Sequence, residues 1–133
     1  QIRSYEESNV VNPDYEKIKK QYYLSSAELY LNLRGAVKYC GNDTYTTVLF
    51  FYKVNSDCPE CRAQGGVLDN LVKADSKLRV FALPSDTDYE FINVFLKRHG
   101  ISQAPAVVIN DKAVLQGLHS EQELSKYLGN QSA

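Results

Sequence analysis

Two cysteines with two residues between them, Cys58 and Cys61, have the residue type and spacing that most clearly indicate chemistry. The tetrapeptide that they bound, Cys58-Pro59-Glu60-Cys61, opens a stretch with helical periodicity, and two thiols at that spacing can close a disulfide. Backbone N–H groups and the dipole at a helix start stabilise a thiolate, whose unperturbed pKa is about 8.5. The sequence therefore predicts Cys58 as a nucleophile and Cys61 as the thiol that resolves its mixed disulfide.

Two other interpretations of this cysteine pair are open. Half of a zinc site has the same spacing, but the remaining candidate ligands, Cys40, His99 and His119, supply no second pair. The pair can also be a structural disulfide or two inert core thiols, although Pro59 and Glu60 between them favour an exposed turn. We expect catalysis by the pair, with no metal and no dissociable cofactor.

Alternating strands and helices position the pair. The stretch 46–52 is β-branched and aromatic on both faces, which predicts a buried central strand leading into the tetrapeptide. Beyond it the patterns predict, in chain order, a helix over 59–74, a strand over 78–83, a helix from a Thr87-x-x-Glu90 capping box to Gly100, strands over 106–109 and 113–118 joined by a hairpin, and a helix from Ser120-x-x-Glu123 to about Gly129.

A long helix is predicted ahead of these elements, from Pro13 to about Cys40. Its apolar residues recur at helical spacing, which predicts a buried seam made of Tyr15, Ile18, Tyr22, Leu29, Leu33, Val37 and Cys40. On that seam Cys40 is expected to be a buried, unreactive thiol, and linkage to a partner or a redox role is the alternative.

The order of the elements predicts the fold class. Short connections and right-handed crossovers make the first two strands parallel and the closing hairpin antiparallel. We therefore expect an α/β fold, a three-layer α/β/α sandwich with a mixed central sheet and an added N-terminal helix. In this organisation residues 1–12 are a flexible lead-in and residues 13–133 are one domain, whose N-terminal helical extension covers 13–41.

The strand, the Cys-Pro-x-Cys turn, the helix and the later Ala104-Pro105-Ala106-Val107-Val108 together resemble the thioredoxin superfamily over residues 46–129, the thioredoxin core. The resemblance implies thiol–disulfide exchange with protein substrates and a partner that recycles the pair. It also implies a cis-proline at Pro105, facing the cysteines, and a peptide group at Ala104 that pairs with the substrate backbone. The alternative is that Pro105 simply starts a strand.

Two departures from the family bear on the direction of the reaction. Thioredoxin has a buried acid on its central strand, whereas the aligned stretch here is Phe50-Phe51-Tyr52-Lys53. Within the tetrapeptide, Pro59 and Glu60 tune the thiol pKa, and an ionised Glu60 disfavours the Cys58 thiolate. Because a less stable thiolate gives a stronger reductant, we expect a moderately reducing couple.

Composition excludes several other functions. With 15 Lys and Arg against 16 Asp and Glu the net charge is -1, so no strong field attracts nucleic acid or an anionic membrane. No apolar run approaches the roughly 20 residues of a membrane span. The chain begins at Gln1 and contains no Met, which favours a processed or anchored extracytoplasmic protein.

The competing function is a non-catalytic thioredoxin-like module that binds proteins and keeps a structural disulfide.

Overall fold

The computed structural model describes residues 13–40 and 45–131. Its elements are helix α1 (Pro13–Cys40), strand β1 (Thr46–Tyr52), helix α2 (Pro59–Ala74), strand β2 (Leu78–Pro84), helix α3 (Glu90–His99), strand β3 (Ala106–Ile109), strand β4 (Ala113–Gln116) and helix α4 (Glu121–Gln131). The expected lead-in over residues 1–12 lies outside the described residues. In the described ranges no helix has both the length and the apolar character that crossing a membrane requires.

The sheet is mixed, with the strand order β2-β1-β3-β4. Strand β1 pairs in parallel with β2, and it pairs antiparallel with β3, where Phe51 lies opposite Ala106. Strand β4 then pairs antiparallel with β3. Because β1 and β3 run in opposite directions, the chain leaves β1 towards Cys58 at the same end of the sheet at which it enters β3 from Pro105.

Helices cover both faces of this sheet, which confirms the predicted three-layer architecture. The side chains of β1 alternate, so that Leu49 and Phe51 enter one core while Val48 and Phe50 enter the other. The first core includes residues of α1 and α3, and the second includes residues of α2 and α4. The five central residues of β1 are all buried, as its apolar character on both faces predicts.

The predicted buried seam of α1 is wrong for most of its length. Ile18 is 60% exposed, Tyr22 is 53% exposed and Leu29 is 60% exposed. Tyr15 is 6% exposed, as predicted, but the face that packs on the sheet is made of Tyr23, Ala27 and Tyr30, all of them at most 3% exposed. Both rows of residues have helical spacing, and the buried row contains the small Ala27 and aromatic rings that fit the core. The side chains of residues 37–40 lie outside the description, and so does the prediction for the Cys40 thiol.

One of the two predicted capping boxes is present. The Ser120 hydroxyl accepts a hydrogen bond from the Glu123 N–H at 3.1 Å, and Glu123 accepts one from the Ser120 N–H at 3.1 Å. The box predicted at Thr87 is wrong, because α3 begins after Tyr89 with no side-chain cap. The Thr87 hydroxyl donates instead to the carbonyl of Pro84 at 3.5 Å, within the preceding turn.

Three elements end at other residues than predicted, and the first of them, β2, ends at Pro84 instead of residue 83. Strand β4 ends at Gln116 instead of residue 118, because Gly117 adopts a φ of 89°, which breaks the extended conformation. Helix α4 continues to Gln131, past the predicted end at Gly129.

A cluster of polar side chains lies at the opposite end of the sheet from Cys58, beside the hairpin between β3 and β4. Asp111 accepts hydrogen bonds from the Tyr30 hydroxyl at 3.1 Å and from the Arg98 guanidinium at 2.8 Å. The imidazole of His99 is also buried there, with Nε2 at 3.2 Å from the Asp111 carboxylate but without hydrogen-bond geometry. This cluster joins α1, α3 and the hairpin.

The burial of His99 predicts a loss of stability in mild acid. Burial lowers the pKa of His99 below its ordinary value, Asp111 opposes this shift and Arg98 adds to it. Since the unfolded chain then binds this proton more readily than the folded one, the free energy of unfolding falls as the pH drops below about 6.5. We expect urea denaturation between about pH 7 and pH 5 to show this slope, and we expect His99→Gln to flatten it. An unchanged slope in the variant would assign the acid sensitivity to other groups.

Candidate active site

The tetrapeptide forms the first turn of α2. Cys58 is the N-cap residue and Pro59 is the first helical residue, a position at which the missing N–H of proline costs nothing. The N–H of Cys61 lies 3.0 Å from the Cys58 carbonyl and 3.2 Å from the Cys58 sulfur. The two cysteines are joined by a disulfide, with their Cα atoms 5.2 Å apart. A backbone donor therefore already points at the sulfur that would carry negative charge after reduction.

The two sulfurs differ in their access to solvent. Cys58 is partly exposed and is flanked by the exposed Pro59 and Glu60, whereas Cys61 is only 6% exposed. An incoming disulfide can therefore reach Cys58 first, while Cys61 is shielded inside the helical turn. This is the order of access that a nucleophile and a resolving thiol require.

Two of the three charged side chains in and beside the tetrapeptide are paired with each other, and one is not. Asp57 and Arg62 form an exposed ion pair at 2.8 Å that spans the tetrapeptide, so their opposite charges largely offset each other. Glu60 lies within the tetrapeptide and forms no ion pair with any residue in 13–40 or 45–131. Glu60 therefore adds to the tetrapeptide a negative charge that no ion pair with these residues offsets.

The end of β1 carries Tyr52 and no carboxylate. The hydroxyl of Tyr52 lies 3.1 Å from that of Tyr23, which connects the end of this strand to α1. Phe51 is fully buried, and Lys53, the residue after the strand, is exposed. The carboxylate that lies between β1 and Cys58 in the sequence, that of Asp57, is exposed and paired with Arg62.

A carboxylate that sequence reasoning missed holds the loop before Cys58. Asp86 accepts hydrogen bonds from the N–H groups of Val54 at 3.0 Å and Asn55 at 2.9 Å. The Asn55 side chain donates in return to the Asp86 carbonyl at 2.7 Å. These three hydrogen bonds hold the loop that leads into the tetrapeptide. Their sequence signal was the Ser85-Asp86 turn after β2.

The Ala104–Pro105 peptide bond is cis, as the resemblance implies. Pro105 is buried and Ala104 is partly exposed, at the end of the sheet where β1 finishes and the loop to Cys58 begins. The Pro105 carbonyl accepts a hydrogen bond from the Gly117 N–H at 2.8 Å. The structure thus brings Pro105 and the cysteines to one end of the molecule, although Cys58 and Pro105 are 47 positions apart in the sequence.

The histidines lie elsewhere. His99 belongs to the polar cluster at the opposite end of the sheet, and the His119 ring contacts Glu123 at 3.2 Å and the Gln116 carbonyl at 3.1 Å. Across residues 13–40 and 45–131 no three His, Cys, Asp or Glu side chains form a group that could hold a metal ion.

Solved structures that are similar in fold include thioredoxins and a thioredoxin-like protein. The N21Q mutant thioredoxin from Halobacterium salinarum NRC-1 is similar with a TM-score of 0.56 and 17% identity, over 69% of this chain and 79% of that one. Thioredoxin O2 from Arabidopsis thaliana in its oxidized state has a TM-score of 0.55 and 16% identity, over 81% and 90%. A thioredoxin-like protein from Clostridium perfringens has a TM-score of 0.55 and 18% identity, over 67% and 72%. At these identities the likeness shows the fold.

Sequence comparison gives the family. Curated protein sequences yield no significant match. A family model described as "Thioredoxin domain" matches residues 52–129, more than half of the chain, and this match spans both the tetrapeptide and Pro105. A thioredoxin fold that carries a Cys-x-x-Cys disulfide supports thiol–disulfide redox chemistry in general. The chain belongs to the thioredoxin domain family.

Proposed function

We propose that this protein is a thiol–disulfide oxidoreductase that exchanges protein dithiols and disulfides through Cys58 and Cys61, on the reducing side. The observation that carries the proposal is the disulfide at the start of α2, with a partly exposed Cys58 and a buried Cys61. Its substrates are proteins with accessible disulfides, and a dithiol reductant recycles it. The substrate backbone pairs with the peptide group of Ala104 beside Pro105.

The proposed cycle transfers two electrons from the reduced pair to the substrate. The Cys58 thiolate attacks one sulfur of a substrate disulfide, forms a mixed disulfide and releases a substrate thiolate, which takes up a proton. Cys61 then loses its proton and attacks the Cys58 sulfur. That step forms the Cys58–Cys61 disulfide and releases the second substrate sulfur, which is protonated. A dithiol finally reduces the pair and is itself oxidised.

The charge balance supports the reducing direction. The helix start and the Cys61 N–H favour a thiolate at Cys58, whereas Glu60 disfavours it by repulsion of like charges. A reduced form that is stabilised less gives a lower reduction potential. The Asp57–Arg62 ion pair adds little to either side because its charges offset each other.

The reduction potential of the pair tests this proposal. Equilibration of the protein with a redox buffer of known poise is expected to give a value between about -270 and -200 mV. In Glu60→Gln the potential should rise by on the order of 10–20 mV, because removal of the charge stabilises the thiolate. The matched control is Asp69→Asn, an exposed carboxylate farther along α2, which should leave the potential unchanged.

Other outcomes would contradict the proposal in distinct ways. A wild-type potential near about -120 mV would make the protein an oxidant and overturn the reducing direction. If the wild type shows no exchange with any protein disulfide, the chain is a binding module whose disulfide is structural.

A further inference from the structure

Gln64 is a polar side chain with no exposed surface, one helical turn after Cys61. Its Nε2 donates to the carbonyl of His119 at 3.2 Å, and its Oε1 accepts from the N–H of the same residue at 2.8 Å. A buried amide destabilises the fold unless both its donor and its acceptor are satisfied, and this pair of bonds satisfies both. The helix that carries the cysteines is thereby attached at two points to the segment before α4.

That segment, residues 116–119, is also attached to the loop before β3. The side-chain oxygen of Gln116 accepts hydrogen bonds from the N–H groups of Ser102 at 2.9 Å and Gln103 at 3.3 Å. The N–H of Gly117 donates to the carbonyl of Pro105 at 2.8 Å. We call residues 116–119 the bridge, because it is bonded to the cysteine helix on one side and to the Ala104–Pro105 loop on the other.

We propose that Gln64 is a positioning residue that, through the bridge, sets the Ala104 peptide group relative to the cysteine pair. This inference rests on the proposed function and adds to it a determinant of protein-substrate binding. The attacking sulfur and the peptide group that binds the substrate are carried by different elements, so a shift of the Ala104 peptide group relative to the sulfur weakens docking of the substrate backbone. Gln64 is the side chain that links the two elements through hydrogen bonds.

The test is a comparison of Gln64→Met with wild type on two disulfide substrates. Methionine keeps the length of the side chain and removes both hydrogen bonds. With insulin as the protein disulfide, KM should rise by about tenfold while kcat stays within about twofold, because docking is weakened and the sulfur chemistry is retained. With hydroxyethyl disulfide, which has no peptide backbone, both constants should stay within about twofold of wild type.

A control variant separates positioning from loss of stability. Asn110 is a buried amide at the opposite end of the sheet that accepts a hydrogen bond from the Thr47 N–H at 3.0 Å, and its φ of 52° suits glycine. Asn110→Gly removes this hydrogen bond while glycine tolerates the backbone conformation. We therefore expect it to destabilise the protein without changing KM for insulin. If both variants raise that KM equally, or if Gln64→Met leaves it unchanged, the positioning role is wrong.

Further measurements test the inference if Gln64→Met does not fold or if wild type does not reduce insulin. Should Gln64→Met fail to fold, Gln116→Ala at a partly exposed position must produce the same rise in KM, and an unchanged KM overturns the proposal. If wild type itself does not reduce insulin, the proposed function fails. Amide hydrogen exchange then decides the linkage, because faster exchange of the Gly117 N–H in Gln64→Met than in Asn110→Gly supports it and equal exchange refutes it.

Discussion

Cys58→Ser is expected to lower disulfide exchange activity by at least about 10³-fold, because no other thiol replaces the nucleophile at the helix start. Cys61→Ser is expected to behave differently. Its Cys58 still attacks a substrate disulfide, but the mixed disulfide accumulates because the buried resolving thiol is gone. The two variants therefore separate the attack on the substrate from its release, although the substituted residues are only three positions apart.

Non-reducing electrophoresis and mass spectrometry measure both outcomes. The variants are best made in a Cys40→Ser background, which leaves Cys58 and Cys61 as the only thiols of the chain. Covalent complexes with a protein disulfide are expected in Cys61→Ser and to be lost on addition of a reducing agent. Capture through Cys61 in the Cys58→Ser variant would reverse the assigned roles.

Tyr30→Ala is expected to destabilise the fold by about 3–5 kcal/mol, the usual cost of removing a large buried aromatic ring. Tyr30 is 1% exposed, contacts the rings of Phe81 and Phe95 edge to face, and donates to Asp111. Its neighbour Leu29 is 60% exposed, and Leu29→Ala should change the free energy of unfolding by no more than about 0.5 kcal/mol.

Urea denaturation of the two variants compares adjacent residues of one helix. The pair is a sharp test of which face of α1 packs on the sheet, because the residues differ by one helical step and both have large side chains. Equal losses of stability, or a larger loss in Leu29→Ala, would restore the seam predicted from the sequence.

The sequence predicts which segments form helices and strands better than it predicts which way a helix faces. The apolar run of β1 and the proline that starts α2 are local signals, and both elements have the predicted bounds. Helix α1 carries two neighbouring rows with helical spacing, one through Ile18 and Leu29 and the other through Tyr23 and Ala27. The choice between them depends on the shape of the sheet surface, and that surface is formed by residues distant in sequence.

The residues of the site also differ in how far the local sequence reveals them. Cys58 and Cys61 were predictable because the spacing and the helix start are local features of the chain. The hydrogen bonds of Gln64 reach a backbone 55 residues away, so its partner exists only in the folded protein. Its sequence signal was a polar residue in the row with Cys61 and Leu68, where a helix that packs on a sheet normally has apolar residues.

The antiparallel pairing of β1 with β3 gives the reactivity and the selectivity of the proposed function different origins. The thiol pair lies within four consecutive residues, so we expect a chain that has lost its sheet still to exchange with small thiols. The Ala104–Pro105 loop lies at the same end of the sheet as the pair because Phe51 lies opposite Ala106. Under denaturing conditions we therefore expect discrimination among protein substrates to disappear before the thiol chemistry does.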